Sequence, residues 1–284
     1  MIWLGFELSV LGFLPIFRGI RLVIEGIIKY FLVQAGGSSL FLLSFIINDI
    51  NTESVFLLSI LLKLGLFPFY QWVPLVIRTI RWIGCLIVST LQKVAPLFTL
   101  LNSQTKLNPQ IALAGSLRVL IRGILGFNQT KFRALIAYSS IAHSGWILCS
   151  WTATLKISLL YFLTYTLITA TTFSLFYFIN TSSIISRIPA SPNFIIINLL
   201  IITLTGIPPF SIFFIKIIII KSIVFYPIPA LILIIGTILS AYYYLSFIVP
   251  SILARWDLNY YAKKSYFYYS IIFSTITIPL ILVW

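Results

Sequence analysis

Acidic residues are nearly missing from this chain: five Asp and Glu stand against nineteen Lys and Arg in 284 residues. Histidine and methionine occur once each and cysteine twice. Cys85 and Cys149 sit in separate apolar runs with no CxxC or His–Cys spacing. They read as small buried hydrophobes, and no metal or flavin constellation is present. Charged residues of all kinds make up only 8% of the chain, too few for the polar shell of a soluble domain. The formal charge of +14 is scattered around helix ends and forms no stripe on a soluble face, which argues against nucleic acid. No basic-then-apolar-then-small leader and no Arg- and Ser-rich presequence opens the chain, so it is expected to be read as membrane from its first helix.

What is present is apolar. Hydrophobic residues make up 60% of the sequence, with a mean hydropathy of +1.09. A hydrocarbon core about 30 Å thick takes about 20 apolar residues per helix, so the length allows about ten crossings. The runs place helices near 2–17, 23–47, 54–77, 82–102, 109–127, 130–151, 156–179, 193–225, 228–249 and 266–284. Two runs carry helix breakers, Gly65 with Pro68 in the third and Gly206 with Pro208 and Pro209 in the eighth. Breaks in corresponding places of two halves point to an inverted-repeat transporter. The expected architecture is an all-α polytopic bundle: residues 1–107 as a shortened first repeat, 108–250 as a second inverted repeat, and 251–284 as a C-terminal loop and helix. The spacing of the breaks implies a first repeat lacking one N-terminal helix. Basic residues crowd one set of loops (Arg18, Arg21, Arg78, Arg81, Lys131, Arg133, Arg187, Arg255, Lys263, Lys264), against Lys106, Lys156 and Lys221 on the other. The positive-inside rule then puts both termini on the side opposite the cytoplasm or matrix.

Ionisable residues inside such runs cost roughly 2.5–3.5 kcal/mol each on insertion scales, so each demands a reason. Lys63 lies well inside its run, just before the first break, too deep for a snorkelling stem to explain fully. Lys93 is mid-run beside Pro96, and Lys216 follows the second break. Glu7 lies near the chain start, where an interfacial carboxylate and a functional acid are equally reasonable. An amine titrates near pH 10.4 in water and responds to its surroundings; a carboxylate favours its charged form and a second ammonium opposes it. One acid and several lysines in a row therefore form a switchable chain for protons. His143, flanked by serines, reads equally as a relay or as a satisfied hydrogen-bonding residue. Arg118 and Arg122, four apart on one helix face, are candidates for anionic lipid headgroups.

The order of motifs is more specific than any one residue. Trp3-Leu4-Gly5-Phe6-Glu7 is followed by Lys29-Tyr30-Phe31-Leu32-Val33-Gln34-Ala35, Leu62-Lys63-Leu64-Gly65-Leu66-Phe67-Pro68-Phe69 and Leu91-Gln92-Lys93-Val94-Ala95-Pro96. Then come Asn128-Gln129-Thr130, Ala137-Tyr138-Ser139-Ser140-Ile141-Ala142-His143-Ser144-Gly145-Trp146, and Gly206-Ile207-Pro208-Pro209 with Lys216. From residue 3 to about 216 the chain resembles the subunit 2 family of NADH dehydrogenase in mitochondrial respiratory complex I, in an N-terminally shortened form. The resemblance implies an antiporter-like fold and a proton-translocating subunit of NADH:ubiquinone reductase with no complete redox site of its own. NADH, FMN, iron–sulfur clusters and ubiquinone would belong to other subunits. It implies Glu7 as an interface acid, Lys63 as its modulating partner, Lys93 as the central relay, His143 on a hydrated axis, and Lys216 as the terminal lysine. Expected partners are subunits 4 and 4L, accessory subunits, and membrane lipid including cardiolipin, in the mitochondrial inner membrane with both termini toward the intermembrane space. Tyr70, Leu75, Arg118 and Arg122 depart from the family pattern. Competing readings are a stand-alone or hydrogenase-type cation/proton antiporter subunit, and a membrane scaffold that has lost pumping; a passive scaffold has little reason to keep Glu7 and three lysines in lipid.

Overall fold

The apolar runs form helices throughout a computed structural model that describes residues 2–16, 21–46, 52–66, 68–102, 108–127, 129, 132–152, 154–179, 192–208 and 210–256. Backbone polar groups have no water to bond in lipid, so helices that satisfy them internally are the ready solution. In chain order they are α1 (Ile2–Phe13), α2 (Arg21–Ile46), α3 (Thr52–Lys63), α4 (Trp72–Thr79), α5 (Trp82–Ser89) and α6 (Leu91–Asn102). Then follow α7 (Asn108–Phe127), α8 (Phe132–Trp151), α9 (Leu155–Ile179), α10 (Pro192–Thr205), α11 (Ser211–Ser222) and α12 (Pro227–Trp256). Pro109, Pro192 and Pro227 lie at helix starts, where a missing N–H breaks no intrahelical bond. No strand occurs among the described residues. The helix anticipated near 266–284, Pro209, and the loop residues Arg18, Lys106, Lys131, Arg187, Lys263 and Lys264 used for orientation lie outside them.

Three of the sequence runs are each divided between two helices. The run near 54–77 comprises α3 and α4, and that near 193–225 comprises α10 and α11. The run near 82–102 is divided at Thr90, which sequence reading did not anticipate. There the Thr90 hydroxyl donates to the Leu86 carbonyl at 2.7 Å, a side-chain bond of the kind that bends helices. The Lys93 amide then bonds the Thr90 carbonyl only three residues back. Adjacent Ser89 and Thr90 were the available signal.

Among the described residues, five helical stretches are long and apolar enough to cross a membrane: Val23–Ile46, Trp82–Leu100, Pro109–Phe127, Leu155–Phe178 and Pro227–Ser246. The chain is a multi-pass membrane protein. α8 is long enough but less apolar, and its place explains why: residues 134 to 150 are buried without exception. Wrapped by protein, this helix need not face lipid and carries Ser139, Ser140, His143, Ser144 and Ser150 inward.

α7 packs most extensively on α8 and α12. The first contact runs through glycine. A Cβ on Gly115 would stand 2.9 Å from the Gly145 carbonyl, and one on Gly145 would stand 2.7 Å from that of Gly115. Close backbone approach through small residues is how membrane helices gain van der Waals contact where lipid competes equally for apolar surface. α9 covers the other side of α8 and reaches α5, α10 and α11. One buried cluster gathers around Tyr30, Trp72, Trp82, Phe173 and Phe176, and a second around Trp146, Tyr161, Tyr165, Ile212 and Ile215. The second cluster surrounds the ionisable residues described next.

Candidate functional site

The loop after α3 is built around a left-handed glycine. Gly65 has φ 63°. Its amide bonds the Leu62 carbonyl at 3.1 Å, and the Leu66 amide bonds the Leu61 carbonyl at 2.7 Å. This pair is the Schellman arrangement that ends helices at a glycine. The last carbonyls still need donors. Gln34 Nε2 donates to the Lys63 carbonyl at 3.0 Å. Arg118 donates to the carbonyls of Leu64 at 3.1 Å and Gly65 at 2.6 Å. α10 ends in a related way: Gly206 has φ 71°, its amide bonds the Thr203 carbonyl at 3.2 Å, and Lys216 Nζ donates to the Thr205 carbonyl at 2.8 Å. At both ends a buried cation meets carbonyls at the negative pole of a helix.

Glu7 and Lys63 are neighbours at one end of the interior. Lys63 is buried, and its ammonium lies 3.8 Å above the centre of the Phe6 ring, a cation–π contact. Its stem passes Gly37, where a Cβ would come within 2.6 Å of Lys63 Cγ. The Glu7 carboxylate accepts a hydrogen bond from the Ser38 hydroxyl. Its charge also reaches Lys63, an attraction that offsets part of that lysine's desolvation.

Lys93, His143 and Lys216 form a second, more central group, linked by aromatic rings. Lys93 Nζ donates to the Ser140 carbonyl at 2.8 Å and lies 5.3 Å from the centre of the Tyr165 ring. That ring lies 4.8 Å from the His143 ring. His143 Nδ1 and the Tyr161 hydroxyl are 2.9 Å apart. Tyr161 stacks on Trp146 at 6.5 Å, and Lys216 Nζ lies 5.5 Å from the Trp146 ring. The His143 ring also lies beside the Leu204 backbone near the end of α10, and Nε2 is buried without a formed hydrogen bond. The chain of contacts runs from Lys93 to Lys216 without leaving the protein interior.

Sequence reading missed Tyr161, Tyr165 and Trp146 as parts of this group. Tyr161 and Tyr165, four apart on α9, were the legible signal, since residues at that spacing share a helix face.

Arg118 and Arg122 are not where a lipid headgroup is reached. They are 1% and 3% exposed, inside the bundle. Arg118 holds the loop after α3, as described. Arg122 donates to the Tyr244 hydroxyl at 3.0 Å, and its guanidinium lies 5.2 Å and 5.3 Å from the rings of Tyr243 and Tyr244 on α12. α12 and α8 cover the α7 face that carries both arginines.

Among the described residues no group of three or more His, Cys, Asp or Glu is arranged to hold a metal ion. Cys85 and Cys149 are free thiols, both buried. Their sulfurs approach the backbone carbonyls of Ile77 and Ala112 at 3.5 Å and 3.4 Å.

Comparison with known proteins bears on this arrangement. The family model described as NADH:quinone oxidoreductase/Mrp antiporter, TM, matches residues 47–241. NADH-ubiquinone oxidoreductase chain 2 of Peropteryx kappleri is 33% identical over 99% of this chain and 90% of its own. The chain 2 protein of Lumbricus terrestris is 35% identical over 88% and 79% respectively. Among solved structures, a chain of respiratory complex I from Thermus thermophilus with bound aureothin superposes with a TM-score of 0.81. That superposition covers 99% of this chain and 71% of the other, and at 22% identity it establishes the fold alone.

Proposed function

The chain belongs to the NADH-ubiquinone oxidoreductase chain 2 family, and from that premise we propose that it carries protons across the membrane along Glu7, Lys63, Lys93, His143 and Lys216. The observation that supports this most is the unbroken sequence of buried contacts from Lys93 through Tyr165, His143, Tyr161 and Trp146 to Lys216. A proton moves between groups that can each hold it and release it, and lysine and histidine side chains do both. The rings between them exclude lipid while leaving the amines and the imidazole facing one interior. His143 is the middle station, with Nδ1 held by Tyr161 and the ring beside the Leu204 backbone near the end of α10.

Each group in this reading has one task. Glu7 changes the electrostatic environment of Lys63 by holding or losing its charge. Lys93 receives the proton in the centre, His143 passes it, and Lys216 delivers it at the end of α10. The interruptions between α3 and α4 and between α10 and α11 act as the broken helices of two inverted repeats, residues 1–107 and 108–250, with 251–284 as a C-terminal addition. Gly65 and Gly206, both left-handed and both followed by proline-containing turns, support that correspondence. The energy comes from quinone reduction elsewhere in the complex, and this chain supplies no redox centre. Subunits 4 and 4L, accessory subunits and cardiolipin are its neighbours in the mitochondrial inner membrane, with both termini toward the intermembrane space.

A map of the assembled complex that resolves water tests this reading. Ordered waters bridging Lys93 to His143 Nε2 and His143 to Lys216 are the expected result. A dry, apolar barrier between His143 and both lysines in every state would overturn it.

A further inference from the structure

We propose that Arg118 is a positioning residue for Lys63: it clamps the carbonyls just after that lysine to α7 and so fixes the first lysine relative to the second. The inference rests on the proton-path reading above and adds a residue that the path does not contain. Three observations carry it. Arg118 is 1% exposed, and one of its nitrogens donates to the carbonyls of both Leu64 and Gly65. Those carbonyls belong to the two residues after Lys63, whose own carbonyl is held by Gln34, so the turn that ends the Lys63 helix is tied to α7. On its other side Arg118 packs against Gly145 of α8, the helix whose Ser140 carbonyl holds Lys93. It thus stands between the Glu7–Lys63 end and the Lys93–Lys216 group.

The chemistry of the clamp favours arginine over the alternatives. A turn interrupted by a left-handed glycine leaves carbonyls that neither water nor lipid can satisfy in the interior. A neutral donor would meet them, yet it would leave the negative helix end without a counter-charge. At the corresponding turn after α10 the donor to Thr205 is Lys216, itself a member of the path. There the clamp and the proton carrier are one residue; after α3 the two tasks are divided, Arg118 holding the turn and Lys63 remaining free to sit over Phe6. A guanidinium keeps its charge under all ordinary conditions. The first turn is therefore held constantly, whereas the second is held by a group that changes its own protonation.

The test compares Arg118→Met, Arg118→Gln and Arg118→Lys in the complete complex, purified and placed in liposomes. Lys63→Met is the control for the path itself. Pumping and NADH oxidation are measured at equal amounts of assembled complex. Arg118→Met is expected to lower pumping roughly tenfold, the scale of a lost buried bond to a charged donor. Arg118→Lys, which restores cation and donor, recovers most of it. Arg118→Gln assembles but pumps poorly, because it bonds the carbonyls without charge, and this variant decides the matter if Arg118→Met fails to assemble. A purely structural role would reduce the amount of complex and leave the activity of each assembled copy unchanged. Wild-type pumping per assembled Arg118→Met or Arg118→Gln complex, with Lys63→Met impaired, would overturn the clamp alone. Full pumping in Lys63→Met would overturn the reading on which it rests.

Discussion

Lys216 and Gly206 occupy each other's space. A Cβ built on Gly206 would lie 2.7 Å from Lys216 Nζ and 3.1 Å from Cε, while the ammonium donates to the carbonyl of the preceding residue, Thr205. The glycine is needed for its φ of 71° and for the room it leaves the lysine. Gly206→Ala is expected to cost about 1–2 kcal/mol in backbone strain alone. The methyl group also pushes Lys216 off the Thr205 carbonyl. Pumping by the assembled complex should fall while the yield of complex, followed on native gels, falls less. An alanine complex that pumps normally would show that Lys216 has no need of this seat.

Tyr161 is predicted to matter through a single oxygen. Its hydroxyl is the partner of His143 Nδ1 at 2.9 Å, and that bond fixes how the imidazole ring presents Nε2. Tyr161→Phe keeps the ring that stacks on Trp146 and leaves a buried nitrogen unsatisfied, at about 1–3 kcal/mol. A decrease in pumping of roughly tenfold at normal assembly is the expected outcome. Unchanged turnover in the phenylalanine variant would remove His143 from the path.

At the other end, charge and hydrogen bonding can be separated. Glu7→Gln keeps an acceptor for Ser38 and removes the charge that reaches Lys63. Ser38→Ala does the reverse. The account expects Glu7→Gln to slow coupled NADH oxidation several-fold and Ser38→Ala to stay within about twofold of wild type, as a net neutral hydrogen bond contributes little. Equal effects of the two variants, measured as steady-state oxidation in coupled vesicles, would mean that Glu7 serves only as a packing partner.

Much of this arrangement is legible in the sequence alone. Burial cost singles out Lys63, Lys93 and Lys216, because a lysine in an apolar run of that length has few structural excuses. Gly65 with Pro68, and Gly206 with Pro208, mark turns by residue type, and helices do end before them. What the pattern hid was lateral contact. In a run where nearly every residue is apolar, periodicity no longer distinguishes a lipid face from a protein face. That ambiguity concealed the covered face of α7, and with it the burial of Arg118 and Arg122. It also concealed Tyr161 and Tyr165, which look like any aromatic pair in a membrane helix until α8 is laid against them. The division at Thr90 was missed for a different reason. It arises from one hydroxyl bonding one carbonyl, a choice that a threonine in another setting would not make.

Lys93 carries the central claim, because it connects both parts of the interior: it is held by Ser140 of α8, the helix that packs on Arg118, and Tyr165 joins it to His143. The most direct measurement is proton transfer into liposomes by the complete complex carrying Lys93→Met, with NADH oxidation recorded in the same vesicles. Methionine keeps the length and apolar stem of the side chain and removes its ability to hold a proton. The account predicts a normally assembled complex in which pumping and the oxidation coupled to it both fall, by roughly tenfold or more if the amine is an obligatory station. An assembled Lys93→Met complex that moves as many protons per NADH as wild type, at the same rate, would contradict it.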